Sequence, residues 1–138
     1  MCREMIINLI FLIASEFGVP EYFALSIAIE ESNLNPYAIN TNRNGTIDYG
    51  LFQLNSVWYN DEQWYEPERN IRAGIEYLKY LMDMPDVHTW YAVALVYNAG
   101  LGRLNNPPMS TINYAVNVME RYNELTNERI EIVIRKKK

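Results

Sequence analysis

The chain has 138 residues, 49% of them hydrophobic and 21% charged, with a net charge of −5. This length suits one domain, and this much apolar content supports a packed core rather than a disordered chain. The acidic balance argues against nucleic acid as a partner and against capture of anionic polymers by charge alone. A single cysteine, Cys2, rules out a disulfide within the chain. The single histidine, His88, sits beside Thr89 and Trp90 at a helix start. No cluster of Cys, His and acids has metal-ligand spacing, so neither a metal nor a cofactor is expected.

Residues 4–17 read as a helix ended by Gly18, with Pro20 restarting the chain. The apolar run Met5 to Ala14 has the length of a signal-peptide core, but no small-x-small cleavage site follows it. A buried first helix is the expectation. Pro20 opens a second helix over 20–31, filled by Tyr22, Phe23, Leu25, Ile27 and Ile29. Two glutamates close it. Glu31 lies seven residues after Ala24 and extends the apolar stripe, whereas Glu30 lies four after Ser26 and is the more solvent-facing. Asn35-Pro36 breaks the helix.

The segment 40–56 is rich in Asn, Thr and Gly and reads as a short hairpin around Asn44-Gly45. A hairpin that small must pack on helices. Trp58, Tyr59, Trp64 and Tyr65 follow, either as a stacking lip for a ligand or as hydrophobic cover for the helices. A third helix runs from about Glu68 to Met82, with Ile71, Ile75, Leu78 and Met82 at helical spacing. The fourth spans about Thr89 to Asn98 and stops at Ala99-Gly100. Gly100-Leu101-Gly102 lacks the third glycine and the preceding strand of a dinucleotide loop. The fifth runs from about Ser110 to Thr126, with Ile112, Ala115, Met119 and Tyr122 on one side. Residues 130–134, Ile-Glu-Ile-Val-Ile, read as an edge strand or extended tail, and Arg135 to Lys138 as a solvated basic end. The expected division is a single domain over 1–126 and an extended basic tail over 127–138.

Two acids stand out between Glu31 and Ser56. Glu31 closes a helix, and Asp48 follows the Asn-Gly turn within the alternation Ile47, Tyr49, Leu51. Carboxylates on a helix end and on a hairpin can face each other across a groove. Sugar hydrolysis by paired acids needs that arrangement.

Four motifs in order carry a family likeness over roughly residues 20–125. They are Glu31-Ser32 at a helix end, Gly50-Leu51-Phe52-Gln53, Tyr97-Asn98-Ala99-Gly100, and Tyr114 with Val118 four residues on. Together they resemble the lytic transglycosylase domain of the goose-type lysozyme superfamily. A second likeness overlaps the first. Glu31-Ser32-Asn33 and the run Asn44 to Gly50 are similar to the active-site region of animal-type lysozymes, where an Asp-Tyr-Gly follows the hairpin turn. Asp48 matches that family's second carboxylate, which many lytic transglycosylases lack. The eight-cysteine framework of animal-type lysozymes is absent. The small, specialised, secretion-associated transglycosylases are most similar to this mixture.

The resemblance implies a mainly α (α+β) lysozyme-like fold, with about five to seven helices and one small β-hairpin flanking an active-site cleft. It implies cleavage of the β-1,4 bond between N-acetylmuramic acid and N-acetylglucosamine in peptidoglycan. Glu31, on the apolar stripe of its helix, is the candidate general acid, since burial keeps a carboxyl protonated. Tyr97 and Tyr114 would hydrogen-bond it. Gln53, Asn98 and the Gly50 backbone would hold sugar N-acetyl and hydroxyl groups, with Ser32 and Phe52 completing the substrate-binding set. In a transglycosylase the sugar's own 6-hydroxyl attacks and a 1,6-anhydro product forms. In a retaining muramidase Asp48 would stabilise or trap the oxocarbenium-like centre. The Tyr-Asn-Ala-Gly motif favours the first route. From another class stands a non-catalytic peptidoglycan-binding component of a secretion or phage apparatus, against which the intact Glu31-Ser32 pair argues. The implied partners are glycan strands and a secretion or phage apparatus, for a monomer in the periplasm, cell envelope or extracellular space, or borne by a phage.

Overall fold

The computed structural model describes residues 1–137. Five α-helices run as α1 (Arg3–Phe17), α2 (Glu21–Ser32), α3 (Pro67–Met82), α4 (Trp90–Ala99) and α5 (Met109–Lys137). Between α2 and α3 lies an antiparallel sheet of β1 (Ile39–Thr41), β2 (Ile47–Tyr49) and β3 (Leu54–Asn55), in that order. Short 3-10 turns at Glu62–Tyr65 and Leu101–Arg103 precede α3 and follow α4. This is the mainly helical arrangement with a small sheet that the motifs implied. The expected hairpin gains a third strand, Leu54–Asn55, whose two residues are too few to leave an alternation.

The core is built around α2. Phe23 to Ala28 are all buried there, a helix apolar on nearly every side, as a central helix must be. α1 and α5 both pack on it. α1 buries Ile6, Ile10, Ile13 and Ala14, one stripe at helical spacing, and ends at Gly18. Phe23 is fully buried, with its ring 5.2 Å from that of Trp90 and 5.7 Å from that of Tyr122. Each such side chain contributes roughly 1.5–3 kcal/mol by leaving water. Polar groups set the helix starts. Glu66 accepts hydrogen bonds from the backbone N–H groups of Glu68 and Arg69, and Thr89 accepts from that of Ala92.

Residues 127–137 are helical, not the extended tail or edge strand expected there, because α5 continues to Lys137; Lys138, the end of that expected tail, lies outside the described residues. The alternating isoleucines have a strand's period. Yet no Gly or Pro interrupts the chain after Met109, and an established helix gains a hydrogen bond with every residue added.

One junction ties the sheet to the helices. Asn70 on α3 is fully buried. Its Oδ1 accepts from the Phe52 N–H at 2.8 Å, and its Nδ2 donates to Tyr49 O at 3.1 Å and Trp64 O at 2.8 Å. Gly50 makes the close approach possible: its φ is +80°, and a Cβ there would lie 2.1 Å from Asn70 Nδ2. One helical turn on, Gly74 admits the Phe52 ring, whose Cγ would stand 2.3 Å from a Cβ at that position. Gly74→Ala should therefore overpack the junction and destabilise the fold by about 1–3 kcal/mol, read from urea unfolding.

Candidate active site

Glu31 ends α2. The backbone turns sharply just beyond it, with Asn33 and Leu34 both left-handed at φ 51° and 62°. Such a conformation costs a non-glycine residue about 1–2 kcal/mol, and Leu34 offsets it by burial at 5% exposure. Ser32 Oγ lies 3.0 Å from Ala28 O and 2.8 Å from Leu51 O, so it joins the helix end to the Gly50–Gln53 turn. Tyr114 reaches across from α5, its hydroxyl donating to Glu31 Oε2 at 2.8 Å.

The Glu31 carboxyl is raised from 4.5 to about 8. Burial is the largest cause. The Tyr114 hydrogen bond pulls the other way by favouring the ion, and the charges of Asp48 and Glu30 add to the rise. Burial wins, so the group holds its proton at neutral pH. Tyr114 itself is held well above the usual phenol range, by burial first and then by the Glu31 charge.

Glu31 and Asp48 line one groove of about 670 Å³. β2 presents Asp48, opposite Asn40 on β1 and Asn55 on β3. Asn42 Nδ2 donates to one carboxylate oxygen of Asp48 at 3.2 Å, and Asn55 Nδ2 to the other at 2.9 Å. Asn98 also lines the groove. Its Oδ1 accepts from Thr111 Oγ1 at 2.7 Å, which leaves the amide NH2 as its donor for a ligand. Of the four loop aromatics, Trp58 and Tyr59 line the groove, Trp58 at 81% exposure. The other two give cover: Trp64 packs on the core and Tyr65 lies 4.4 Å from the ring of Tyr49. Tyr59 also packs against the core, so Trp58 is the aromatic that stands most open on the groove.

Several expected site residues have other contacts. Tyr97 does not hydrogen-bond Glu31; its hydroxyl donates to Phe52 O at 2.6 Å, fixing the turn, while the residue lines the groove. The ring of Phe52 lies in the core with no exposed surface, packed against Gly74. Gly50 is buried against Asn70. Gln53 lines the groove in a left-handed conformation (φ 53°), but its amide is engaged within the fold. It donates to Gly50 O at 3.1 Å and Ala38 O at 3.3 Å and accepts from Asn40 at 2.7 Å. Glu30 keeps 20% of its side chain exposed and also has partners: it accepts from Asn117 at 3.2 Å and lies 3.8 Å from Arg121. The helix that covers α2 on that side, α5, supplies both partners. Sequence reasoning missed Asn70, Asn42, Asn55 and Thr111. Only Asn70 left a signal, a polar residue interrupting the apolar stripe of α3.

The titration of Glu31 supports two predictions. Tyr114→Phe removes the one contact that favours the carboxylate, so the Glu31 pKa, followed by carboxyl NMR, should rise above about 8. The second concerns stability. Between 4.5 and about 8 the folded state holds a proton that the unfolded state has lost, so stability falls as pH rises through that window. Glu31→Gln should remove this fall and unfold at higher urea than the parent protein at the alkaline end.

Comparison with known proteins agrees with this geometry. The Transglycosylase SLT domain model matches residues 8–118. Protein IpgF of Shigella sonnei is 28% identical over 121 residues, covering 81% of this chain and 77% of that protein. Membrane-bound lytic murein transglycosylase C of Mannheimia succiniciproducens is 31% identical over 121 residues, covering 76% of this chain and 34% of that protein. Among solved structures, an inactive mutant of lytic transglycosylase Slt from Pseudomonas aeruginosa matches with a TM-score of 0.70 at 21% identity, over 87% of this chain and 24% of that one. The chain thus spans about a third of the first transglycosylase and about a quarter of the second. With the family model matched over most of its length and the fold shared, the chain belongs to the transglycosylase SLT domain family.

Proposed function

We propose that this protein is a peptidoglycan lytic transglycosylase that cleaves the β-1,4 bond between N-acetylmuramic acid and N-acetylglucosamine. The observation that carries the reading is Glu31: a carboxyl enclosed enough to be raised to about 8, held by Tyr114, and lining a groove. Glu31 gives its proton to the glycosidic oxygen as the bond to C1 breaks. The N-acetylglucosamine end leaves as an alcohol, and C1 of the muramyl residue becomes oxocarbenium-like. Glu31, now a carboxylate, takes the proton of the C6 hydroxyl as that oxygen closes on C1. A 1,6-anhydromuramyl end forms and the acid is regenerated without water. Tyr114 supports both halves, because its hydrogen bond strengthens when the carboxylate appears. A positioned acid of this kind contributes roughly 10²–10⁴-fold to rate. In this reading the Asn98 amide donates to an acetamido carbonyl or a hydroxyl, which its bond from Thr111 supports by leaving the NH2 group for a ligand. The reading takes the protein as a monomer acting on the peptidoglycan layer of the cell envelope. No helix among the described residues is long and apolar enough to cross a membrane.

Asp48 supports a second reading, a retaining muramidase. It lines the same groove as Glu31, and two asparagine amides fix its oxygens. Such a side chain is positioned to stabilise or trap a cationic C1 for attack by water. Product masses separate the two. Digestion of purified peptidoglycan should yield 1,6-anhydromuramyl ends, and Glu31→Gln should abolish cleavage while the circular dichroism spectrum is kept. Reducing ends alone would replace the first reading with the second. Undiminished cleavage by Glu31→Gln would sink both.

A further inference from the structure

A second hollow of about 490 Å³ meets the groove at Tyr59, Tyr77 and Tyr80, which line both. The two differ in charge. The groove is lined by Glu31 and Asp48 and by no cation. The second hollow is lined by Arg69, Arg72 and Glu76, all on one face of α3. Arg72 is committed to Glu16 at 2.7 Å and Glu68 at 3.8 Å. Arg69 donates to the neutral Gln63 and, among the described residues, forms no ion pair. Glu76 forms none either among those residues. The hollow is therefore dipolar, with a guanidinium at one end and a carboxylate seven residues along the helix, roughly 10 Å away. Trp64 and Tyr59, edge to face at 5.1 Å, give it an aromatic wall.

We propose that this hollow binds the short peptide substituent of a glycan strand, one bearing both a free carboxylate and a free ammonium group. The inference rests on the peptidoglycan reading above and names where the strand's side branch goes. An extended peptide covers roughly 10 Å in about three residues. Arg69 offers the planar fork that a carboxylate accepts in two places, and Glu76 accepts an ammonium. A purely anionic ligand would be opposed by Glu76, and a neutral sugar would have no use for Arg69. Asp48 is the charged acid of the groove and repels carboxylates, which directs the branch towards α3 while the sugars stay beside Glu31.

The test uses the full chain with Glu31→Gln, so that bound strands are not consumed. It compares peptide-bearing glycan strands with the same strands stripped by an amidase. Adding Arg69→Gln or Glu76→Gln should weaken binding of the peptide-bearing strands about five- to tenfold. Binding of stripped strands should be unchanged, and the difference should shrink as salt is raised. The two variants sit at opposite ends of the hollow, so Glu76→Gln decides the matter if Arg69→Gln disturbs the 3-10 turn that holds Gln63. Equal weakening on both polymers, or weakening on neither, overturns the proposal. A protein with Glu31 intact that cuts neither polymer removes the cleavage reading instead, and the binding comparison still stands.

Discussion

The turn from Gly50 to Gln53 is held by three of the helices that shape the groove. α3 grips it through Asn70, α2 through Ser32 and α4 through Tyr97, while the Gly50 N–H donates to Ala38 O at 2.8 Å next to β1. Each hydrogen bond alone contributes a net of about 0.5–1.5 kcal/mol. Sharing one buried turn, they are made or lost together. A sheet of three very short strands has no independent stability. Its orientation, and so the side of the groove on which Asp48 stands, is borrowed from the helices through this turn. Gly50 and Gly74 are the steric conditions for that contact, one for Asn70 and the other for Phe52.

Opposing effects set the chemistry of Glu31. Burial and neighbouring acids favour the neutral carboxyl, and the Tyr114 hydroxyl favours the ion. If burial acted without that hydrogen bond, the group would hold its proton too tightly to accept the role of base. With the hydrogen bond and no burial, it would already be ionised at neutral pH and could not act as an acid. The proposed cycle, in which Glu31 gives and then takes a proton within one turnover, calls on both influences.

Much of the fold was legible in the sequence because it follows from periodicity and punctuation. Gly18, Pro20 and Ala99-Gly100 mark element ends that the structure keeps within a residue, and Asn35-Pro36 lies three residues past the end of α2. Glu31 was legible as the last member of an apolar stripe. The polar supports were not. Asn42 and Asn55 look like ordinary turn residues until the sheet register pairs Asn55 with Asp48 and the β1–β2 turn brings Asn42 to it. Tyr97 sits in a motif but spends its hydroxyl on a backbone carbonyl, a choice made by tertiary distance alone. The end of α5 misled because Ile-Glu-Ile-Val-Ile has a strand's alternation, whereas the absence of a helix breaker decided the outcome.

The residues that create the proton donor are far apart in the chain. Glu31 lies in the second helix, and the hydroxyl that steadies it comes from the last, 83 positions later. If α5 moves away from α2, that hydroxyl goes with it and the burial that lifts Glu31 is opened. The proton affinity of that carboxyl is therefore a property of the docked pair α2 and α5, and a change at their contact would reach it without any change at Glu31 itself.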